Sequence, residues 1–437
     1  MKELFITDLT GRENGSEVAL LGWISGKRRH GNVVFLDVAD STGWIQVVAS
    51  KADTGVEAFD LFKKVNLEAA VEVIGRVSKN GSKPEILARS ISVVGDATKQ
   101  MTPRPRSDFD IFDPRLTDQM LTNRHMYIRN PKIMAILKFR HILMSHMRDW
   151  FNKNRFIEID APILTPVPLY DDGSAMSVNV HGENIFLTQC VGYYLEAAVH
   201  AFERVYNMGP SFRGEESRSK RHLMEYWHIK AELAFGNRED IMSLVENIIS
   251  ELTQRCHEDS RDVLKTLGIS MCLDGLKTPY ARISYENAIV HLQKEGVDIE
   301  YGKGLGSVEE EILSKMFDGP FWVVGIPRTI EPFPYCVDPS DCRVTMVADL
   351  IASNGYGELL GVAEKINDLC MLDERMQDKG KLGDPRYEWI REVHQMGCVP
   401  HIAFGMGVER LIRWFLNITH VRDAIPFPRI FRRRVYP

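Results

Sequence analysis

The hydrophobic period of this chain changes once, and that change limits the folds open to it. From Val18 to about Asp96 the apolar residues come in short runs rich in Val and Ile: VALLGWISGKRR, NVVFLDVAD, WIQVVAS, AAVEVIGRV and PEILARSISVV, divided by Gly, Asn and Asp. This is strand-and-turn patterning. From about residue 121 the spacing lengthens. KIMAILKFRHILMSHMRDWFNKNRF and EDIMSLVENIISELTQRC space their apolar residues as one face of a helix does. Between the two lies MTPRPRSDFDIFDPRL, whose prolines suppress regular hydrogen bonding and bias their preceding residues toward extended geometry. The pattern predicts a strand-built domain over 1–100, a hinge over 101–120 and a larger domain over 121–437.

The length of 437 residues accommodates two such domains. With 44% hydrophobic and 26% charged residues, the chain can bury a large core. A net charge of -6 argues against a protein that does nothing but coat nucleic acid, yet a local patch such as Lys27-Arg28-Arg29-His30 can still grip RNA. The 7 cysteines form no CxxC pair, which suits reduced thiols and a cytoplasmic placement. Cys336 and Cys342 are close in sequence, but no flanking His or Cys completes a metal site. No run approaches the roughly 18 apolar residues of a membrane span, and MKELFITDLTGREN lacks the apolar core of a secretory signal. No membrane partner is expected.

Five short strands, with one helical connection near AFDLFKKVN after the third, suggest a small closed barrel of the oligonucleotide-binding type. A strand sandwich of equal size is the alternative. In the larger domain, strand-like IFLTQ, EYWHIKAELAF and WVVGIP alternate with helical stretches. The fold class is therefore α+β: a barrel followed by a domain with a mixed or mainly antiparallel sheet flanked by helices.

Three stretches of the larger domain carry chemistry. In FRGEESRSKRHLMEYW, residues 212–227, two apolar strand pieces enclose a loop dense in basic groups. Arg offers a rigid donor fork and His a further donor, as a polyphosphate requires, although a solvated surface loop is also charged. PHIAFGMGVERLIRWF, residues 400–415, sets small residues where backbone can approach a ligand and an Arg in the first turn of an apolar helix. No Gly-Lys-Ser/Thr follows, so it is not a P-loop. The third is the helix over 133–152 leading into FIEIDAPILTP.

Together these stretches resemble motifs 2, 3 and 1 of the class II (subclass IIb) aminoacyl-tRNA synthetases, in the asparagine/aspartate subgroup. The resemblance implies ATP and magnesium (Mg2+) as cofactors, with an amino acid and a tRNA as partners. Arg213 would contact the α-phosphate, Glu215 the adenine amino group, and Arg221 and His222 the outer phosphates. Tyr226 and Arg410 would hold the base between them. Glu358 in GYGELLG matches the family's magnesium-binding glutamate, with Asp349 nearby in sequence as a second candidate. Catalysis would rest on Arg213, Glu358 and Arg410. Pro162 matches a residue of the family's dimer interface, which implies a homodimer.

The strand-built domain resembles the family's anticodon-binding barrel. There an aromatic residue and a Gln eleven positions on engage the middle anticodon base, U35; Phe35 and Gln46 stand at that separation, and Glu85 matches a third contact. Arg28, in the KRRH turn, would hold phosphate. THVRDAIPFPR, residues 419–429, favours the asparagine form and hence tRNA(Asn).

The amino-acid pocket departs from the family. Gly192, followed by Tyr193, stands where a Gln is usual, Lys365 where an Arg reads the substrate side chain, and Asp171-Asp172 where Glu-Gly-Gly approaches the ammonium. Ile402 and Ala403 replace small residues. Lys keeps charge but loses the planar fork. Asparagine activation and transfer is the first expectation. A paralogue activating a different or modified acid is the second, and a tRNA-binding protein that does not acylate is the third.

Overall fold

The computed structural model describes residues 1–79, 83–168, 173–217 and 219–436. The chain divides into two compact units, Met1–Pro131 and Lys132–Pro437.

In the first unit, β1 (Glu17–His30), β2 (Val33–Ala39), β3 (Trp44–Ser50), α1 (Lys51–Lys64), β4 (Ala70–Ser78) and β5 (Glu85–Gly95) follow in order. The strands close as β1-β2-β3-β5-β4, with β5 parallel to β3 and the other pairs antiparallel. The helix after the third strand is where AFDLFKKVN placed it. Alternation fixes the inside: Val34, Leu36 and Val38 on β2 and Ile45, Val47 and Ala49 on β3 are buried in one apolar cluster. The intervening residues, Phe35 and Gln46 among them, therefore face outward. The KRRH segment is the end of β1 rather than a turn.

The proline-rich segment is tied down. The Arg106 guanidinium is ion-paired to Glu68, Arg104 donates to the Ser25 carbonyl at 2.9 Å, and the Asn130 amide donates to the Pro105 and Ser107 carbonyls. It packs within the first unit.

The second unit is built on an eight-stranded sheet. In chain order its strands are β6 (Ile157–Glu158), β7 (Arg204–Phe212), β8 (Glu225–Ala234), β9 (Ala281–Ser284), β10 (Phe321–Val324), β11 (Val347–Ala352), β12 (Gly357–Lys365) and β13 (His401–Gly407). They lie side by side as β9-β10-β11-β12-β13-β8-β7-β6. The outermost pair at each end is parallel, and every pairing between them is antiparallel. Helices α2 (Pro131–Lys153), α3 (Gly192–Phe202), α4 (Arg238–Asp259) and α5 (Val408–Phe415) flank it. In α2, Ile133, Ile136, Phe139, Leu143, Met147 and Trp150 are buried at helical spacing, and Pro131 stands at its first position. Asn237 caps α4 by accepting from the backbone N–H of Glu239 and Asp240. Among the described residues no helix is long and apolar enough to cross a membrane.

One carboxylate anchors the chain start to the barrel. Asp40 accepts from the Lys2 ammonium at 2.6 Å, the Ile6 N–H at 2.9 Å and the Thr42 N–H at 2.7 Å. Burial alone would raise its pKa; these donors outweigh it and hold it at about 2, against 3.8 for a free carboxyl. A carboxyl depressed in this way stabilises the fold fully above the unfolded value and loses that contribution as pH falls. Thermal unfolding followed across pH should therefore lose stability between about 4 and about 2. Asp40→Asn should lower the midpoint at neutral pH and flatten that part of the acid slope; an unchanged slope would reject the assignment.

Candidate functional site

Strand alternation positions the site. On β8, Tyr226, His228 and Lys230 share one face. Arg213, directly after β7, donates from Nε to the Tyr226 hydroxyl at 3.2 Å and lies 5.6 Å from that ring's centroid. Beside β8 runs β13, with Gly407 opposite His228. A Cβ at Gly405 would stand 2.7 Å from the His228 Nε2, so glycine is what allows these strands their side-chain packing. Helix α5 opens directly after Gly407 and sets Arg410 in its first turn. The Arg410 guanidinium donates to the Glu358 carbonyl at 3.0 Å and pairs with the Glu358 carboxylate at 3.1 Å. Arg213, Glu215, Arg221, His222, Tyr226, Asp349, Glu358 and Arg410 all line one cavity of about 400 Å³. Every residue expected to hold nucleotide or metal thus meets the same space.

Its electrostatics are opposed by design of position. Burial pushes the Glu358 carboxyl up, but Arg410, Arg221 and Arg213 together hold it down at about 2. At Asp349 the Arg410 charge does not suffice: burial and the charges of Glu358, Glu331 and Glu310 raise it well above the carboxylate range. Burial and Glu358 also push Glu331 up to about 7. Crowded carboxylates are what a hard divalent cation relieves, and their oxygen donors suit magnesium. Arg221 is ion-paired to the buried Glu310. Burial and the surrounding guanidinium charges lower His222 to about 3, so its imidazole is neutral at neutral pH. Its Nδ1 is engaged by the Ser217 and Ser219 hydroxyls at 2.8 and 2.9 Å, which leaves Nε2 for a ligand.

Residues 117–430 match the family model for class II tRNA synthetases (D, K and N), and residues 18–94 match that for OB-fold nucleic acid binding domains. The chain belongs to the class II tRNA synthetases. It is 36% identical to the asparagine--tRNA ligase of Desulforamulus reducens, covering 98% of each chain, and 35% identical to that of Pyrococcus abyssi, covering 100% of each. The solved asparaginyl-tRNA synthetase from Pyrococcus horikoshii, complexed with asparaginyl-adenylate, superposes with a TM-score of 0.92 at 34% identity over 100% of both chains.

The residues expected around the amino acid are not gathered with those expected to hold nucleotide. Gly192, Tyr193, Lys365 and Ile402 are absent from the cavity lining. Lys365 is 2% exposed, with its ammonium 2.8 Å from the Glu196 carboxylate and 3.8 Å from that of Glu232. That placement leaves it behind Tyr335, which does line the cavity, 5.6 Å from the ring centroid. A buried ammonium is held where its carboxylate partner is, and Glu196 keeps this one away from the cavity. Ile402 faces the other side of β13 from Ala403, because side chains alternate along a strand; it packs over Gly236, where a Cβ would come within 2.5 Å. Tyr193 stacks on Phe333 in an apolar cluster. Gly192 opens α3, and a Cβ there would approach the Lys230 side chain at 3.6 Å. Asp172 lies outside the described residues.

Sequence reading missed Lys230, His228, Glu331 and Tyr335, all of which line the cavity. The first two were within reach: stepping by two from Tyr226 along EYWHIK gives both. Glu331 and Tyr335 come from a segment with no regular pattern of its own.

On the barrel, Arg28, Phe35, Gln46 and Glu85 sit on neighbouring strands. Arg28 pairs with Phe35 in the β1–β2 register and Gln46 with Glu85 in the β3–β5 register. The Gln46 side-chain amide donates to the Glu85 carboxylate at 3.1 Å and accepts from Arg28 at 3.1 Å. The structure brings together the four residues expected to meet an anticodon.

A single buried ion pair joins the three motif-bearing elements. Arg140 on α2 bonds Glu409 on α5 at 2.6 Å, and the other Glu409 oxygen accepts from the Trp227 N–H of β8 at 3.1 Å. Both side chains are under 10% exposed, at 8% and 3%. Glu409→Ala should cost about 3–5 kcal/mol in denaturant unfolding, because it strands a buried guanidinium. The double variant Arg140→Met/Glu409→Leu should recover much of that loss. Equal losses in both would mean that the stranded charge is not the cause.

Proposed function

We propose that this synthetase activates asparagine with ATP and transfers it to tRNA(Asn). The observation that carries the reading is the assembly of Arg213, Tyr226, Glu358 and Arg410 around one cavity, in a chain matching asparaginyl enzymes along its whole length. In the first step a substrate carboxylate oxygen attacks the α-phosphorus, the bond to the β-phosphate oxygen breaks, and pyrophosphate leaves. No protein nucleophile or general base is required. Arg213 stabilises the charge gathering on the α-phosphate, an interaction stronger in the transition state than in the ground state. Tyr226 and Arg410 sandwich adenine, Glu215 meets its amino group, and Arg221 and His222 hold the outer phosphates. Glu358 and Asp349 would hold Mg2+, which neutralises phosphate charge when bound. The adenylate then passes its acyl group to the terminal ribose of the tRNA. Pro162 belongs to the interface of a homodimer.

On the barrel, a base at U35 stacks on Phe35 and meets the Gln46 amide, with Glu85 buttressing the amide and Arg28 close to the backbone. We divide the chain into an anticodon-binding domain over 1–100, a connecting segment over 101–120 and a catalytic domain over 121–437.

One observation favours a second reading, a paralogue for another acid. Lys365 is held by Glu196 outside the cavity, and Lys230 adds a cationic group to the cavity wall. Pyrophosphate exchange across a panel of acids separates the two. Strong dependence on asparagine establishes the first reading; silence with asparagine and exchange with another acid establishes the second.

Arg213→Ala should depress exchange by about 3 kcal/mol of barrier, a factor of 10² to 10³, with the protein still folded. Unaltered exchange would reject its role. Phe35→Ala should weaken charging of tRNA bearing U35 by about 1–3 kcal/mol and leave exchange intact; equal loss in both assays would reject a division of labour between the units.

A further inference from the structure

Away from the cavity, three potential ligand atoms meet where the end of α3 faces the start of β13. His200 lies on α3, Cys398 just ahead of β13, and His401 is the strand's first residue. The His200 Nε2 is 3.2 Å from the Cys398 sulfur, and one ligand atom from each of the three lies within 4.8 Å of the others. The imidazole rings meet edge to face at 5.3 Å between centroids.

The outer bonds of both rings point their lone pairs inward. The His200 Nδ1 is 2.7 Å from the Glu196 carbonyl and the His401 Nδ1 is 2.9 Å from the Val399 carbonyl. A carbonyl only accepts, so each Nδ1 carries the proton and each Nε2 is left as a donor of electrons. Metal-bound histidines are held in this manner by a second shell. The His401 Nε2 is buried, in a residue 1% exposed, and has no hydrogen-bond partner. A buried polar nitrogen without a partner calls for a ligand. The His200 Nε2 accepts from the Val399 N–H at 3.2 Å and faces the Cys398 thiol at the same distance, and a bound ion would displace both bonds.

We propose that His200, Cys398 and His401 form a site for one zinc-class divalent ion. Two imidazoles and a thiolate match the donor preference of zinc, and a water fills the fourth tetrahedral position. With bond lengths near 2.0–2.3 Å, ligand atoms around zinc stand about 3.5 Å apart. Rotation of the partly exposed Cys398 and His200 side chains closes the remaining gap. On binding, the thiol proton leaves to solvent and the sulfur bonds the metal as thiolate. Burial and the nearby Glu196 charge otherwise hold that thiol up at about 12, so the metal is what makes the thiolate. Burial lowers His401 to about 4, which keeps its imidazole neutral as a ligand must be. The ion clips α3, which carries Glu196, to β13, whose far end leads into Arg410; it fixes the wall behind the acyl end without touching substrate.

The test titrates untagged, chelator-stripped, full-length protein with Co2+. One equivalent should give a sulfur-to-cobalt charge-transfer band with the strong visible absorption of four-coordinate cobalt, and Zn2+ should abolish both. Cys398→Ser should lose the charge-transfer band and bind at least about tenfold more weakly, whereas Cys336→Ser and Cys342→Ser should behave as the parent. Circular dichroism checks that each variant is folded. The parent titration stands alone should Cys398→Ser fail to fold. A folded parent without the charge-transfer band, or a Cys398→Ser protein that keeps it, overturns the proposal.

Discussion

The Arg140–Glu409 pair is the contact on which the catalytic unit's geometry depends. Glu409 has only two oxygens, and one goes to the helix before the sheet while the other goes to the backbone of β8. The next residue is Arg410, which reaches the cavity. The helix, the strand and the arginine are thereby referenced to one carboxylate. Burying that carboxylate is unfavourable, and burial does push its pKa up. A pair of this kind adds little net stability but penalises every arrangement in which either partner is displaced. Its worth lies in fixing where Arg410 begins.

The cavity itself is held in electrostatic tension. Glu358 is kept ionised by three guanidiniums, whereas Asp349, on the adjacent strand, faces other carboxylates and resists ionisation. Two acidic groups on neighbouring strands thus have opposite tendencies, set by position alone. A divalent cation held between them, as proposed, would change that balance. The preorganised field does the work that solvent would otherwise have to reorganise to do.

Much of this was legible in the chain. Alternation in NVVFLDVAD and WIQVVAS fixes which barrel residues face inward, so the outward placement of Phe35 and Gln46 follows from a local rule. The residues expected to hold nucleotide were legible as a group because most of them cluster in two short stretches next to glycines, and all of them line one cavity. The placement of Lys365 and Ile402 was not, for a physical reason. Whether Lys365 enters a pocket depends on Glu196, which is 169 residues away in sequence. The side of β13 that Ile402 takes depends on strand register, and substitution matching alone overlooks this. His200 stands 198 residues from Cys398 in sequence and reaches it only through tertiary packing.

The Gln46 amide is held from both sides. With one hydrogen committed to Glu85 and one lone pair to Arg28, it cannot flip without placing nitrogen against a cation and oxygen against an anion. Its remaining hydrogen and lone pair are thus oriented before any base arrives. Little rotamer freedom is left to lose on binding. In the proposed anticodon contact, a base presenting the reverse donor–acceptor pattern would meet a fixed mismatch rather than an adaptable partner, and discrimination would reside in rigidity as much as in contact.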